Sequence, residues 1–195
     1  LDGQIKLAPN SNKYIINLES SDVTITGFGT LDGNISNQVG GVGTALAGIT
    51  ANTLSTSVAM PLPPANPISI SNILIEGITI QNVFNWPISL GYISNSIVRN
   101  TTMCNSSGSP QFIFSAENCW FNNNHVYNIN DGGFVFYQGN NYCGAIGNIV
   151  HNCNDGIGVY CDNDQMASNE NINIIGNIVY NNRDSGISVT TGGSN

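Results

Sequence analysis

Ala145-Ile-Gly-Asn148-Ile-Val-His-Asn152 leads to Asp155-Gly-Ile157-Gly-Val159, and 29 residues later Ile174-Ile-Gly-Asn177-Ile-Val-Tyr-Asn181 leads to Asp184-Ser-Gly-Ile187-Ser-Val189. Looser copies precede them: Phe121-Asn-Asn-Asn124-His-Val-Tyr-Asn128 before Asp131-Gly-Gly-Phe134-Val-Phe136, and Ile97-Val-Arg-Asn100 before Phe112-Ile-Phe114. The copies recur at intervals of 22 to 30 residues. Self-similarity at such a period means a stack in which each unit buries its apolar face on its neighbours. Alternation of apolar and polar residues makes the units strands rather than helices. One repeat has room for three short strands and three bends, which is one coil of a parallel β-helix.

The 195 residues fit one domain with a continuous core. Only 8% of them are charged, as suits inner positions that are apolar and turns that are polar but neutral. No apolar run approaches the roughly 20 residues a membrane-spanning helix needs, and no segment joins a helical period to caps. The net charge is −8, with Lys6, Lys13, Arg99 and Arg183 as the cations. Nucleic acid, which needs clustered Lys and Arg, is therefore not an expected partner. A neutral or amino-sugar glycan tolerates this surface better than a polyuronate would. The five cysteines (Cys104, Cys119, Cys143, Cys153, Cys161) are odd in number and lack zinc-type spacing, so they read as buried thiols made in a reducing cytosol. Cys119 and Cys143 should stack on adjacent coils. Asn34, Asn100 and Asn105 fit the short glycosylation sequon. The chain opens on Leu1 without Met and stops on an uncapped coil at Asn195, so a longer protein is expected around it.

The first coil runs through Tyr14–Leu18 and Asp22–Thr26 and closes at Gly27–Gly33. Residues 34–67, with Gly40, Gly41, Gly43 and the prolines Pro61, Pro63, Pro64 and Pro67, break the period and read as an irregular excursion with one short strand near Gly48–Thr50. Periodicity resumes at Ile68 and holds to about Val189. Aligning the last strand of each coil predicts inward pairs Ile88/Leu90, Phe112/Phe114, Phe134/Phe136, Ile157/Val159 and Ile187/Val189. It sends Ser89, Ile113, Val135, Gly158 and Ser188 outward, then Gly91, Ser115, Tyr137, Tyr160 and Thr190. Asn100, Asn124, Asn148 and Asn177 should form a ladder whose amides bond one another along the stack.

Asp131, Asp155 and Asp184 precede the same strand in three successive coils and are the candidate catalytic residues. Neighbouring coils would set carboxylates roughly 5 Å apart and alternate coils roughly 10 Å, near the separations of retaining and inverting glycosidases. The same residues also read as turn chemistry that closes each coil. A calcium ion on this acidic ladder lacks the loop spacing such a site needs, so no cofactor and no metal are expected. At the other end of the strand Glu117 and Asp162 stand in equivalent places, with Gly139 between them and outward Tyr137 and Tyr160 beside them. These four are candidate substrate-binding residues, because aromatic faces next to carboxylates suit a sugar ring. An ordinary exposed aromatic pair is the other reading. A lyase would need a free cation beside the groove, but Arg99 aligns with Glu76 and should pair with it. His125 and His151 fall at different offsets from the ladder asparagine, which predicts that they form no metal pair.

These repeats resemble the pectin-lyase-like right-handed parallel β-helices, which include pectate lyases, polygalacturonase-type hydrolases and phage tailspikes. The likeness covers nearly the whole chain outside 34–67. It implies an all-β solenoid of about six or more coils with little or no helix, in a single domain over 1–195. Ser21–Gly27 running to Gly29–Gly33, and Ile75–Asn82 with Trp86, look like early coils of the polygalacturonase family. Asn130-Asp131-Gly132 stands where that family has its first acidic motif. Asn154-Asp155 matches its double-Asp segment with Asn154 in place of the first Asp, Ser185 replaces a His, and no Arg-x-Lys occurs. The resemblance implies recognition and hydrolytic cleavage of a bacterial surface polysaccharide by a tailspike-like protein, of the kind found as a homotrimer. Such a protein would sit in a virion tail or outside the cell after assembly in the cytosol. A non-catalytic adhesion or structural spike, and a secreted polygalacturonase-like hydrolase, are the alternatives.

Overall fold

The computed structural model describes residues 1–11, 13–38, 47–52, 54–55, 61–62, 65–161 and 167–190. Every long-range strand pairing in the stack is parallel, and the strands fall into three sheets of seven. Sheet A comprises Gln4–Lys6, Thr30–Asp32, Thr79–Gln81, Thr102–Ser106, His125–Ile129, Ile149–His151 and Ile178–Tyr180. Sheet B runs Ile16–Asn17, Ile49–Ala51, Ile88–Gly91, Gln111–Ile113, Phe134–Tyr137, Asp155–Tyr160 and Ser185–Thr190. Sheet C holds Thr24–Thr26, Leu74–Glu76, Ile93–Arg99, Glu117–Asn122, Gly144–Ile146 and Asn173–Ile175, with Ile70–Ser71 paired beside Ile93–Arg99. The chain visits A, B and C in turn, so the protein is a parallel β-helix. Its sole helical element among the described residues is a 3-10 turn at Ile35–Asn37. No helix among them is long and apolar enough to cross a membrane.

Apolar columns from the three sheets fill the interior. Leu31, Ile80, Met103, Val126, Val150 and Val179 stack in sheet A. Ile25, Ile75, Val98, Phe121, Ala145 and Ile174 stack in sheet C. Phe121 meets Phe112 and Phe134 with ring centroids 4.2 and 4.5 Å apart, closing the middle coils with aromatic surface. All five cysteines are buried free thiols, and Cys119 and Cys143 lie side by side on adjacent coils, each bonding backbone carbonyls.

The asparagine content has two origins. At the corner from C to A, Gly27, Gly77, Asn100, Asn123, Gly147 and Gly176 occupy one column, and all have positive φ. Asn82, Asn105, Asn128, Asn152 and Asn181 do the same where sheet A ends. Glycine and asparagine tolerate this left-handed conformation best, so the corners select them. The buried ladder lies one residue on: Asn124 Nδ2 donates to Asn148 Oδ1 (3.0 Å), and Asn148 Nδ2 to Asn177 Oδ1 (2.8 Å). Asn100 is not a rung as expected. It is a corner residue, and Thr101 takes the equivalent inner place, its backbone N–H donating to Asn124 Oδ1. A second ladder joins Asn140 Nδ2 to Asn169 Oδ1 (2.9 Å).

One further expectation needs correction. Phe112 pairs with Leu90 and Phe136, not with Ile88 and Phe134, and Phe114 lies outside the core column. A slip of two residues preserves the alternation of faces, so the pattern cannot detect it. The strand here stops at Ile113 because Phe114 and Ser115 both adopt positive φ. Within 34–67, the strand expected near Gly48–Thr50 exists as Ile49–Ala51 and is fully integrated, lying between Ile16–Asn17 and Ile88–Gly91. Leu54–Ser55 and Pro61–Leu62 form an antiparallel pair off the stack. The rest of that segment lies partly outside the described residues.

Candidate functional site

The outer face of sheet B and its two corners hold most of the residues singled out from the sequence, but in separate places. At the corner from A to B, three successive coils leave a cleft of about 330 Å³ lined by Phe84, Asn85, Trp86, Ser107, Gly108, Asn130 and Asp131. Gly108 permits it: a Cβ there would stand 2.8 Å from Trp86 Cδ1, so any larger residue would displace the indole. Asp131 is exposed, and its carboxylate accepts no hydrogen bond from a described residue.

Asp155 is not in line with Asp131. Phe134 pairs with Ile157, which sets Asp131 opposite Asn154, and the Asp184 N–H bonds Asn154 O at 2.8 Å. The column is therefore Asp131, Asn154, Asp184, while Asp155 stands one residue further on, opposite Ser185. The acidic ladder read from the sequence is broken by one residue because the Asp-Gly and Asp-Ser-Gly turns differ in length. Asp155 is half-buried with both oxygens engaged: Ser185 Oγ donates to Oδ1 and Tyr160 Oη to Oδ2 at 3.1 Å. To reach it the Tyr160 ring folds over Gly158, where a Cβ would lie 2.3 Å from the ring. Burial pushes the Tyr160 hydroxyl up to about 12, and the nearby Asp155 and Asp131 charges add to this, so it remains a proton donor. Asp184 makes a two-pronged pair with Arg183 (3.0 and 2.9 Å), whose hydrogen bonds and charge hold its carboxyl below the usual range.

Tyr137 and Tyr160 are register partners, as expected of outward neighbours. Tyr137 is nevertheless only 7% exposed, because Ile113, Phe114 and Val135 form an apolar seam with it on the outside of sheet B. Tyr160 rather than Tyr137 keeps accessible ring surface. At the far corner, Glu117 lines a cleft of about 280 Å³ with Ser69, Ile70, Tyr92, Ile93, Ser94 and Ser115. Glu117 aligns with Asn141 and Glu170. Asp162 lies outside the described residues.

The outer face of sheet A was not anticipated as a site. Asp32 is buried and accepts from the Asn34 N–H (2.8 Å), Gln81 Nε2 (3.0 Å) and Asn82 Nδ2 (3.1 Å). Burial pushes its carboxyl up, but these hydrogen bonds outweigh it and hold the group below the usual range. Further along the same face, His125 and His151 meet with Nε2 atoms 2.9 Å apart. Their different offsets from the ladder asparagine, which predicted no metal pair, gave no sign of this contact. Their strands pair His125 with Ile149 and Tyr127 with His151, and diagonal neighbours two residues out of register are within reach of long side chains. Burial and the neighbouring His151 lower the His125 pKa. Arg99 pairs with Glu76 as expected, through bonds of 2.9 and 3.0 Å, and so is not a free cation beside any groove. No cluster of three or more His, Cys, Asp or Glu able to hold a metal occurs among the described residues.

No family model matches this chain. No curated protein matches it either. Among solved structures it is similar to the A-module of the Azotobacter vinelandii mannuronan C-5 epimerase AlgE6, with a TM-score of 0.45 and 15% identity. The alignment covers 95% of this chain and 60% of that one, so the chain spans somewhat under two thirds of that structure.

Proposed function

We propose that this chain is a polysaccharide-recognising β-helix of the pectin-lyase-like type that holds glycan in the cleft between sheets A and B. The carrying observation is Asp131, exposed in that cleft beside Trp86, Phe84, Asn85, Asn130 and Ser107, and the one ionisable group among its lining residues. Rings receive the apolar face of a pyranose, while amides, a hydroxyl and a carboxylate bond the hydroxyls on its edge. The net charge of −8 favours a neutral or amino-sugar chain over a polyuronate. A location on a virion tail or outside the cell, with homotrimeric assembly, goes with the tailspike form of this reading.

Hydrolysis is the second reading, and the place of Asp155 one coil beyond Asp131 favours it. Glycoside hydrolysis needs two carboxylates, one as acid and one as base or nucleophile. Asp155, held in place by hydrogen bonds from Tyr160 and Ser185, suits the second role, and Asp131, open to the cleft, suits the first.

A panel of bacterial capsule and O-antigen polysaccharides tests both. Asp131→Asn should weaken glycan binding by roughly ten- to hundredfold, the worth of a hydrogen bond to a charged group. Asp155→Asn should spare binding and abolish release of shortened products. Retention without shortening would remove hydrolysis and leave recognition, whereas a panel with no retained glycan would refute the proposal.

A further inference from the structure

His125 and His151 belong to neither the core nor the cleft, yet they are held more firmly than solvent-facing side chains need be. The His151 ring is stacked between Tyr127 (centroids 5.4 Å apart, planes at 5°) and Tyr180 (4.7 Å, 14°). His125 leans on Tyr127 with centroids 4.8 Å apart. His151 Nδ1 is buried without a partner, so the polar chemistry of that ring rests on Nε2, which meets His125 Nε2 at 2.9 Å.

We propose that His125 and His151 form a chelating site for a divalent first-row transition metal, Cu²⁺ foremost, each ring giving its Nε2. With metal–nitrogen bonds of about 2.0 Å, two donors at a right angle stand about 2.8 Å apart, and two at the tetrahedral angle about 3.3 Å. The observed spacing matches the right angle, which is the geometry of tetragonal Cu²⁺ and Ni²⁺ sites. Copper also binds nitrogen ligands most tightly in the first-row series. Without metal, one ring donates its Nε2–H to the other. On binding, that ring carries its proton on Nδ1 instead, so both Nε2 lone pairs turn to the metal and no net proton is lost from neutral imidazoles. The tyrosine stack fixes the His151 ring before the metal arrives, which lowers the ordering cost of chelation. With no third protein ligand among the described residues, water or an outside ligand completes the shell.

The test is titration of tag-free protein with Cu²⁺ alone near neutral pH, read by calorimetry and by electron paramagnetic resonance. The expected result is one Cu²⁺ per chain, with nitrogen couplings from two imidazoles. His125→Gln and His151→Gln should each weaken binding beyond the roughly 10- to 100-fold that loss of an outer-shell partner costs. Circular dichroism checks that the variants fold, and the wild-type spectrum decides without them. A spectrum with one or no imidazole, no binding at all, or equal affinity in the double variant would overturn the site. The last outcome would place the copper elsewhere, as at the terminal amine.

Discussion

Truncating Asn148 to Ala probes the buried ladder at its most enclosed rung. Asn148 is 0% exposed, and its side chain makes four hydrogen bonds: Oδ1 accepts from Asn124 N–H (2.8 Å) and Nδ2 (3.0 Å), and Nδ2 donates to Phe121 O and Asn177 Oδ1 (both 2.8 Å). After truncation Asn124 Nδ2 still has Val98 O, and Asn177 Oδ1 still has the Asn148 N–H. The Asn124 N–H is left without a partner where water cannot replace it, while the Phe121 carbonyl loses one of its two bonds and keeps its place in the strand ladder. A buried unpaired group costs about 1–3 kcal/mol and an ordinary lost hydrogen bond about 1, so we expect about 3 kcal/mol. That is a large share of the roughly 5–15 kcal/mol that holds a typical domain folded. Asn177→Ala, at a half-buried rung that water reaches, should cost only about 1–2 kcal/mol. Urea unfolding followed by circular dichroism, with an unchanged m-value, gives both numbers. An Asn148→Ala loss below about 1 kcal/mol, or equal losses at the two rungs, would show that the ladder is not what holds the coils in register.

Two further outcomes follow from the same interior. Tyr160 titrates at about 12 in the folded chain against 10.0 ordinarily, so the native state holds this proton more tightly than the unfolded one. Its contribution to stability is therefore complete below pH 10 and is lost as pH rises towards 12. Ultraviolet titration should show one late tyrosine, absent in Tyr160→Phe, and a tyrosine set that titrates uniformly would contradict the fold of its ring over Gly158. The five thiols should resist a disulfide reagent in native buffer and react together on unfolding, since all five are buried; burial also pushes Cys153 up to about 11, and the neighbouring Cys143 thiol together with burial raises Cys119. Rapid native labelling of Cys119 or Cys143 would mean that the core is open between coils.

The sequence by itself determined the coil, because a period-two pattern repeated every 22 to 30 residues has few other ways to bury its apolar face. It also determined the stacked thiols, the Arg99–Glu76 pair and the inner Asn124–Asn148–Asn177 rungs, each of which follows from aligned positions on successive strands. Alignment fails where neighbouring coils differ in length. The shorter strand at Gln111–Ile113 shifted Phe112 by two residues without disturbing the alternation, and a one-residue difference in turn length took Asp155 out of line with Asp131 and Asp184. Burial was equally illegible: Tyr137 points outward as alternation demands, yet Ile113, Phe114 and Val135 cover it. The His125–His151 contact was missed because offsets from a ladder residue record only straight columns, whereas side chains on a twisted sheet also meet on the diagonal. Only the tertiary structure brings Trp86, Ser107 and Asp131 from three coils to one cleft, since no one-dimensional pattern encodes the depth of a corner.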